Sequence, residues 1–486
     1  MREISRRDLL RAGVAAGALT ALSPATRALA ANKHGRAPVI RQPNSLPDPS
    51  RPMGTPDASM PFDHVVCLMM ENHSFDNYFG MLAQRGQPKA DGFHFDRAGH
   101  PTNSNLDKNG RVVRAFKLDT GCQGGGVSQN WDVTHRSVNG GRMDGFVTAK
   151  DDDQPMGYWD DDTLPFYYSL AKTFTVGNRW FCSAPCQTYP NRRFLIAGTA
   201  FGLISTDTSS IVSTSPPFIP APPPNGTIFD RLNASGISWK NYFTDLPAVG
   251  VVPTVVQNNL PKIVPIAQFF SDCAAGTLPA VSFVDPEFGA LGEVGGPISQ
   301  IPGIGRLAGV QLSTTGGSEE NPQNIKYGQA TAAAVINAVL QSPTWRRVLF
   351  LYVYDEHGGY YDHVPPPAAL KPDNIPPTLG PNNVPGAYDV YGPRVPAVVM
   401  SAYSKPNAVT NVVHDHTSLL ATIEAKWNLP AMTYRDANAA TMLDFIDTRH
   451  MSFPEPPTLA AAPSPLPEAL NCTGETPTAP AATAAG

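Results

Sequence analysis

The groups best suited to chemistry in this chain are oxygens and imidazoles that directly follow apolar runs. Phe62 to Met70 is apolar and closes on Glu71-Asn72-His73-Ser74-Phe75-Asp76. Glu71 and Asn72 both offer oxygens that suit a hard divalent cation; Asn72 or Ser74 could equally cap a helix. Val348 to Tyr354 closes on Asp355-Glu356-His357-Gly358-Gly359. Two adjacent carboxylates at the end of a buried strand are costly unless a cation or protons neutralise them. The diglycine would let backbone approach a ligand closely; a solvated turn is the competing reading. Thr188 lies two residues before Pro190, which suits the first turn of a helix. A hydroxyl at a helix N-terminus meets free N–H groups that favour an anionic phosphate. Beside a bound cation it becomes a candidate nucleophile, whereas as a plain cap it does no chemistry.

The elements that must position these groups follow from the pattern. Short apolar runs at 62–70, 174–181, 237–242, 279–284, 347–354 and 395–400 predict strands. Segments 164–171, 227–236, 327–340 and 418–427 predict helices. Strands alternating with helices predict an α/β fold with a mainly parallel sheet. In such sheets ligands bind beyond the carboxyl ends of the strands, where Glu71 and Asp355 fall. Residues 84–130, 205–226 and 286–325 are rich in Gly, Asn, Ser or Pro and predict long loops.

Composition bounds the function. The chain has 486 residues, 36 Lys+Arg and 41 Asp+Glu, for a formal charge of −5. Mild acidity excludes nucleic acid as a main partner, because phosphate backbones call for basic patches. With 41 Gly and 50 Pro the chain is punctuated too often for a helical bundle.

Residues 1–30 predict a twin-arginine export signal. Ser5-Arg6-Arg7-Asp8-Leu9-Leu10 is followed by the apolar stretch Ala12 to Leu22 and by Ala28-Leu29-Ala30 as a cleavage site. Secretion or a periplasmic location follows. Residues 31–60 predict a Pro-rich arm, 61–453 the catalytic domain and 454–486 a disordered Pro/Ala-rich tail. No stretch reaches the length of apolar residues that a membrane helix needs. Among six cysteines, Cys67 reads as a buried thiol, and Cys182 and Cys186 as a disulfide or free thiols. Pairing cannot be read from spacing.

Taken in order, six segments resemble one family. They are Glu71-Asn72-His73-Ser74-Phe75-Asp76, Asn139-Gly140-Gly141-Arg142-Met143-Asp144-Gly145-Phe146, Thr188-Tyr189-Pro190-Asn191-Arg192, Asp355-Glu356-His357-Gly358-Gly359, Tyr391-Gly392-Pro393-Arg394-Val395-Pro396 and Asp415-His416-Thr417-Ser418. This set resembles the bacterial phosphoesterase family of non-haemolytic phospholipases C and acid phosphatases, within the alkaline phosphatase-like superfamily. The resemblance implies a three-layer α/β sandwich with long loop insertions. It implies one divalent metal ion (Ca, Mg, Mn or Zn) held by Glu71, Asn72, Thr188, Asp355 and Glu356. Thr188 would be the nucleophile, passing through a phospho-threonine. His135 and His357 would contact phosphate oxygens or carry protons, and Arg192, Asn321 and His416 would meet the substrate.

Two segments depart from the family. Gln129-Asn130-Trp131 stands where relatives often have His-Ser-Trp, and Glu320-Asn321-Pro322-Gln323 where they often have Glu-His-Pro-Pro. Asn321 can donate a hydrogen bond but cannot transfer a proton near neutral pH. The resemblance implies a phospholipid or small phosphate-ester substrate, first a phospholipase C-like phosphodiester. An acid phosphomonoesterase is the next reading, and a catalytically weakened phosphate- or lipid-binding relative a third. A choline head group would call for an aromatic cage, for which Tyr158, Trp159, Tyr167, Tyr168, Tyr360 and Tyr361 are candidates. Sulfate ester hydrolysis ranks lowest, because Thr188 lacks the sulfatase signature around it.

Overall fold

A computed structural model describes residues 39–125, 127–206, 222–288, 317–464 and 479–480. The twin-arginine segment and most of the tail lie outside these residues. Twelve strands occur in chain order: β1 His64–Met70, β2 Ser104–Leu106, β3 Val112–Arg114, β4 Phe116–Lys117, β5 Gly157–Tyr158, β6 Thr175–Gly177, β7 Trp239–Phe243, β8 Ile263–Pro265, β9 Val281–Val284, β10 Val348–Tyr354, β11 Ala397–Ser401 and β12 Ala408–Thr410. Eight of them form one sheet in the order β12-β6-β11-β10-β1-β9-β7-β8. β10, β1, β9, β7 and β8 run parallel. Among the described strands, only β11 is antiparallel to both of its neighbours.

The central strands explain why this sheet is parallel and covered on both faces. β10 is the run VLFLYVY, and all of its residues are buried; β1 is buried at every position after His64. Neither strand alternates polar with apolar residues, so neither can face water on one side. Helices supply the cover. Ile325–Leu340 is Ala-rich and buries nine of its sixteen residues, and Thr417–Trp427 buries ten of its eleven. The helix Ile228–Ala234 begins, as the sequence predicts, at Thr227, which forms a reciprocal capping box with Asp230.

Register then places the site. β1 and β10 are neighbours with Met70 opposite Tyr354. Glu71 and Asp355 are the next residues of the two parallel strands and therefore emerge side by side. The loop expected at 84–130 is not wholly irregular: β2 pairs with β3 and β4 with β5, forming two small sheets over the body. The Pro-rich arm wraps the body: Asn44 N donates to Ala431 O at 2.7 Å and Arg41 N to Asn438 Oδ1 at 2.9 Å. The stretch 454–464 has no regular structure yet lies against the body, with Ala460 N donating to Ser169 Oγ at 2.9 Å. Among the described residues, no helix is long and apolar enough to cross a membrane.

Candidate active site

Glu71, Asn72, Thr188, Asp355, Glu356 and His357 are all buried, with exposures of 5% or less. The local structure separates the two readings that capping left open. Ser74, not Asn72, caps the short helix Phe75–Phe79, accepting from Asn77 N at 3.2 Å. Asn72 instead adopts a left-handed backbone, φ 72°, a conformation that costs a non-glycine residue energy and concentrates at functional positions. Thr188 is the first residue of the helix Thr188–Ala197, and Gln187 holds the cap position without a side-chain hydrogen bond. Its hydroxyl is not spent on capping. Oγ1 points to Asn72 Oδ1 at 3.4 Å.

The diglycine has a reason other than the expected one. Gly358 has φ +64°, and a Cβ there would stand 2.0 Å from the Asn72 carbonyl oxygen. A Cβ on Gly359 would meet Ser128 O at 2.7 Å. The close approach is between two stretches of this chain's own backbone, and it seats the Asp355 loop against Asn72.

Four acids crowd this place. Burial raises the Glu71 carboxyl well above its usual range, and nearby Glu320 adds to the effect. Burial also raises Asp355, an effect that Arg192 opposes. Glu356 is raised well above the ordinary range by burial and then by Asp355. Glu320, which the sequence reading passed over in favour of its neighbour Asn321, lies against Glu71 and Asn72, and burial raises it too. The signal available for it was its place in the Glu320-Asn321-Pro322 motif.

Arg192 was expected at the substrate, but its guanidinium faces the carboxylates. Nε is 3.1 Å from Asp355 and Nη2 is 3.3 Å from Glu71, with the Arg192 side chain 3% exposed. One arginine cannot balance four acids. Several buried atoms also have no hydrogen-bond partner among the described residues: Glu356 Oε1, Arg192 Nη1 and both ring nitrogens of His357. His357 Nδ1 lies 3.2 Å from Glu356 Oε2 but without hydrogen-bond geometry. Burial pushes the His357 imidazole down to about 3, so it is neutral at neutral pH. Surplus buried negative charge, an orphaned carboxylate oxygen and an all-oxygen donor set fit a divalent cation.

The remaining expected residues divide. His416 Nε2 reaches the backbone carbonyl of Asp355 at 2.6 Å, and its Nδ1 lies 3.4 Å from Trp180 Nε1. Both nitrogens are engaged, so His416 braces the Asp355 loop. Asn321 Oδ1 accepts from Tyr360 OH at 3.2 Å. His135 lies on the helix Trp131–Val138, where Nδ1 meets Trp131 O at 2.7 Å and the ring packs 4.3 Å from the Trp131 indole. Among the described residues, no hydrogen bond, ion pair or ring contact joins His135 to the Thr188 cluster. Phe146, from the motif that follows His135, packs edge-on to His357 with centroids 6.5 Å apart. All six candidate cage aromatics are 7% exposed or less, so they are core rather than an open cage. Cys67, Cys182, Cys186 and Cys273 are free and buried, while Cys122 is disulfide-bonded. Cys182 and Cys186 are thus thiols, not a bridge.

Among the described residues, two groupings bring three ligand atoms within 4.8 Å of one another, Asp76–Asp362–His363 and Asp160–Asp161–Asp162. Both already have protein cations. Arg394 lies 3.0 Å from Asp362 and 3.2 Å from Asp76, and Arg85 and Lys117 bridge the second group. Burial opposes charge on His363, yet Asp76 at 2.7 Å outweighs it and holds the imidazolium up to about 10.

The Phosphoesterase family model matches residues 62–430. The chain belongs to the Phosphoesterase family. It is a hydrolase acting on phosphoric ester bonds and is related to phospholipases C. It is 28% identical over 499 residues to phospholipase C A of Mycobacterium tuberculosis, covering 93% of this chain and 86% of that one. It is 26% identical over 426 residues to non-specific phospholipase C3 of Arabidopsis thaliana, covering 80% of this chain and 74% of that one. A solved protein of the alkaline phosphatase superfamily from Vibrio parahaemolyticus aligns with TM-score 0.33 and 10% identity, covering 75% of this chain and 78% of that one. The span that matches the family holds every phosphoesterase motif read from the sequence, from Glu71 to Ser418.

Proposed function

We propose that this phosphoesterase cleaves phospholipid head-group phosphodiesters, with Thr188 as nucleophile and one divalent metal held by Glu71, Asn72, Thr188, Asp355 and Glu356. The observation that carries the reading is Thr188 Oγ1, buried, uncommitted to capping and 3.4 Å from Asn72 Oδ1 at a helix N-terminus. When bound, the cation would supply charge stabilisation for the phosphoryl oxygens and lower the pKa of the Thr188 hydroxyl.

The chain's own groups do the rest. The free N–H groups opening the Thr188 helix favour the phosphate. Neutral His357 offers a ring N–H to a phosphoryl oxygen. Thr188 Oγ attacks phosphorus and gives its proton to water; the bond to the lipid ester oxygen breaks, that oxygen leaves with a proton from water, and the phosphorylated head group stays on Thr188. Water then cleaves that bond and releases the phosphorylated head group. His135, bonded to Trp131 O, has no part in this account, and Arg192 neutralises carboxylates rather than holding substrate. Buried aromatics give no support to a choline-specific pocket, so the head group is left broad. Ser5-Arg6-Arg7 supports export by the twin-arginine route.

The test uses p-nitrophenylphosphorylcholine and p-nitrophenyl phosphate, each with and without chelator. Chelator-sensitive cleavage of the diester is expected. Preference for the monoester would replace this reading with a phosphatase, and cleavage of neither by folded, metal-loaded protein would favour a binding role. Thr188→Ala should lower hydrolysis by at least about 10³-fold while folding and metal binding largely persist. Unchanged turnover would refute the nucleophile.

A further inference from the structure

One buried carboxylate lies just outside the chemistry and touches the supports of most of it. Glu319 is fully buried, and three tyrosine hydroxyls donate to it. Tyr167 reaches Oε1 at 2.6 Å, Tyr78 reaches Oε2 at 2.7 Å, and Tyr354 also bonds to Oε2. Tyr352 extends the chain of hydroxyls, 2.8 Å from Tyr354 OH. The Glu319 carbonyl lies 3.1 Å from His73 Nε2 and accepts from Gln123 Nε2 at 2.6 Å. Its backbone is left-handed, φ 77°. The neighbouring helix carries Gly328 where the side chain passes, and a Cβ there would stand 2.0 Å from Glu319 Cγ.

Two of these partners adjoin site residues, and Tyr78 stacks on one of those two, the His73 ring, with centroids 4.3 Å apart. His73 follows Asn72, and Tyr354 precedes Asp355. Glu319 itself precedes Glu320, and Ser318 O accepts from Glu71 N at 2.9 Å. Gln123 Oε1 accepts from Tyr360 OH at 2.8 Å, and the same hydroxyl reaches Asn321. Burying a carboxylate is expensive, and well-packed apolar residues stabilise a core at least as well. The arrangement is therefore better explained by placement than by stability, in the way outer groups orient the ligands of metal sites.

We propose that Glu319 is a positioning residue that, through Tyr78, Tyr167, Tyr354 and His73, fixes Asn72, Asp355 and the Glu320–Asn321 loop in the geometry that binds the divalent cation. It touches neither Thr188 nor substrate. The inference rests on the metal-dependent reading above and adds a residue to it.

The test is Mn²⁺ affinity of the purified full chain by calorimetry, which needs no turnover, together with kcat and KM on p-nitrophenylphosphorylcholine. Glu319→Gln keeps the shape but loses an acceptor. It should weaken Mn²⁺ binding about tenfold and lower kcat with little change in KM. Tyr354→Phe, which leaves the carboxylate and two hydroxyl donors, should weaken binding in the same direction by a smaller factor. If Glu319→Gln does not fold, Tyr354→Phe decides. Wild-type affinity in a folded variant would overturn the inference while leaving the proposed function intact. A wild-type protein that binds no divalent cation would overturn both.

Discussion

Arg192 shows how far a residue's chemistry depends on which way it faces. The motif that contains it suggested a substrate contact. Its guanidinium, carried one turn into the helix that Thr188 opens, instead lies between Asp355 and Glu71. Removing one partner of a buried ion group leaves the others uncompensated, at a cost of about 3–5 kcal/mol. Arg192→Met should therefore lower stability by about that amount in chelator, as read by urea unfolding, and added metal should restore part of it. A substrate-binding arginine would instead raise KM and leave unfolding unchanged. Glu71, Asn72, Asp355 and Glu356 stood out in the sequence because they directly follow apolar strands, and Thr188 because it opens a helix before Pro190; the resemblance is what joined them into one set. Glu319 did not stand out, and Glu320 had only its place beside Asn321 to mark it. They follow a Gly-rich segment, and only tertiary packing brings them under β1 and β10.

Among the elements, the strands were the most readable. β1 and β10 carry unbroken apolar runs, so their ends, and hence the site's position, followed from sequence. The helices Trp131–Val138 and Ile266–Ala275 were missed, because Asn, Gly and Pro flank them and their apolar faces are short. The diglycine after β10 predicts close approach of a ligand, whereas the neighbours it makes room for are backbone: the Asn72 carbonyl at Gly358 and the Ser128 carbonyl at Gly359. Gly358→Ala adds a Cβ 2.0 Å from the Asn72 oxygen at a φ of +64°. It should destabilise by more than about 1 kcal/mol and also reduce metal affinity, because the displaced element is the one that carries Asn72. Thermal unfolding with and without Mn²⁺ would read both. An equal loss of stability in both conditions would separate packing from the site.

For the whole molecule, the decisive quantity is the surplus of buried acid. Glu71 and Glu356 are held above their ordinary range by burial. Without a cation the folded state then binds more protons than the unfolded chain, so stability falls as pH rises above the ordinary carboxylate range. A bound cation removes that penalty. The rise in Tm on adding Mn²⁺ should be larger at about pH 8 than at about pH 5.5, by at least about 2 °C. A shift independent of pH would place the cation elsewhere. His363 works in the same sense over a higher pH window. Its raised value, about 10, contributes stability that is present below its ordinary range and fades as pH rises towards that value.

The pairing of β1 with β10 joins His64 to Val348, and with them the two halves of the proposed cation site. A chain that stops before Val348 has Glu71, Asn72 and Thr188 but neither Asp355 nor Glu356. Such a contact, remote in sequence, closes only after most of the polypeptide exists and has found its partners. The emerging chain therefore cannot assemble the proposed centre until β10 has paired with β1.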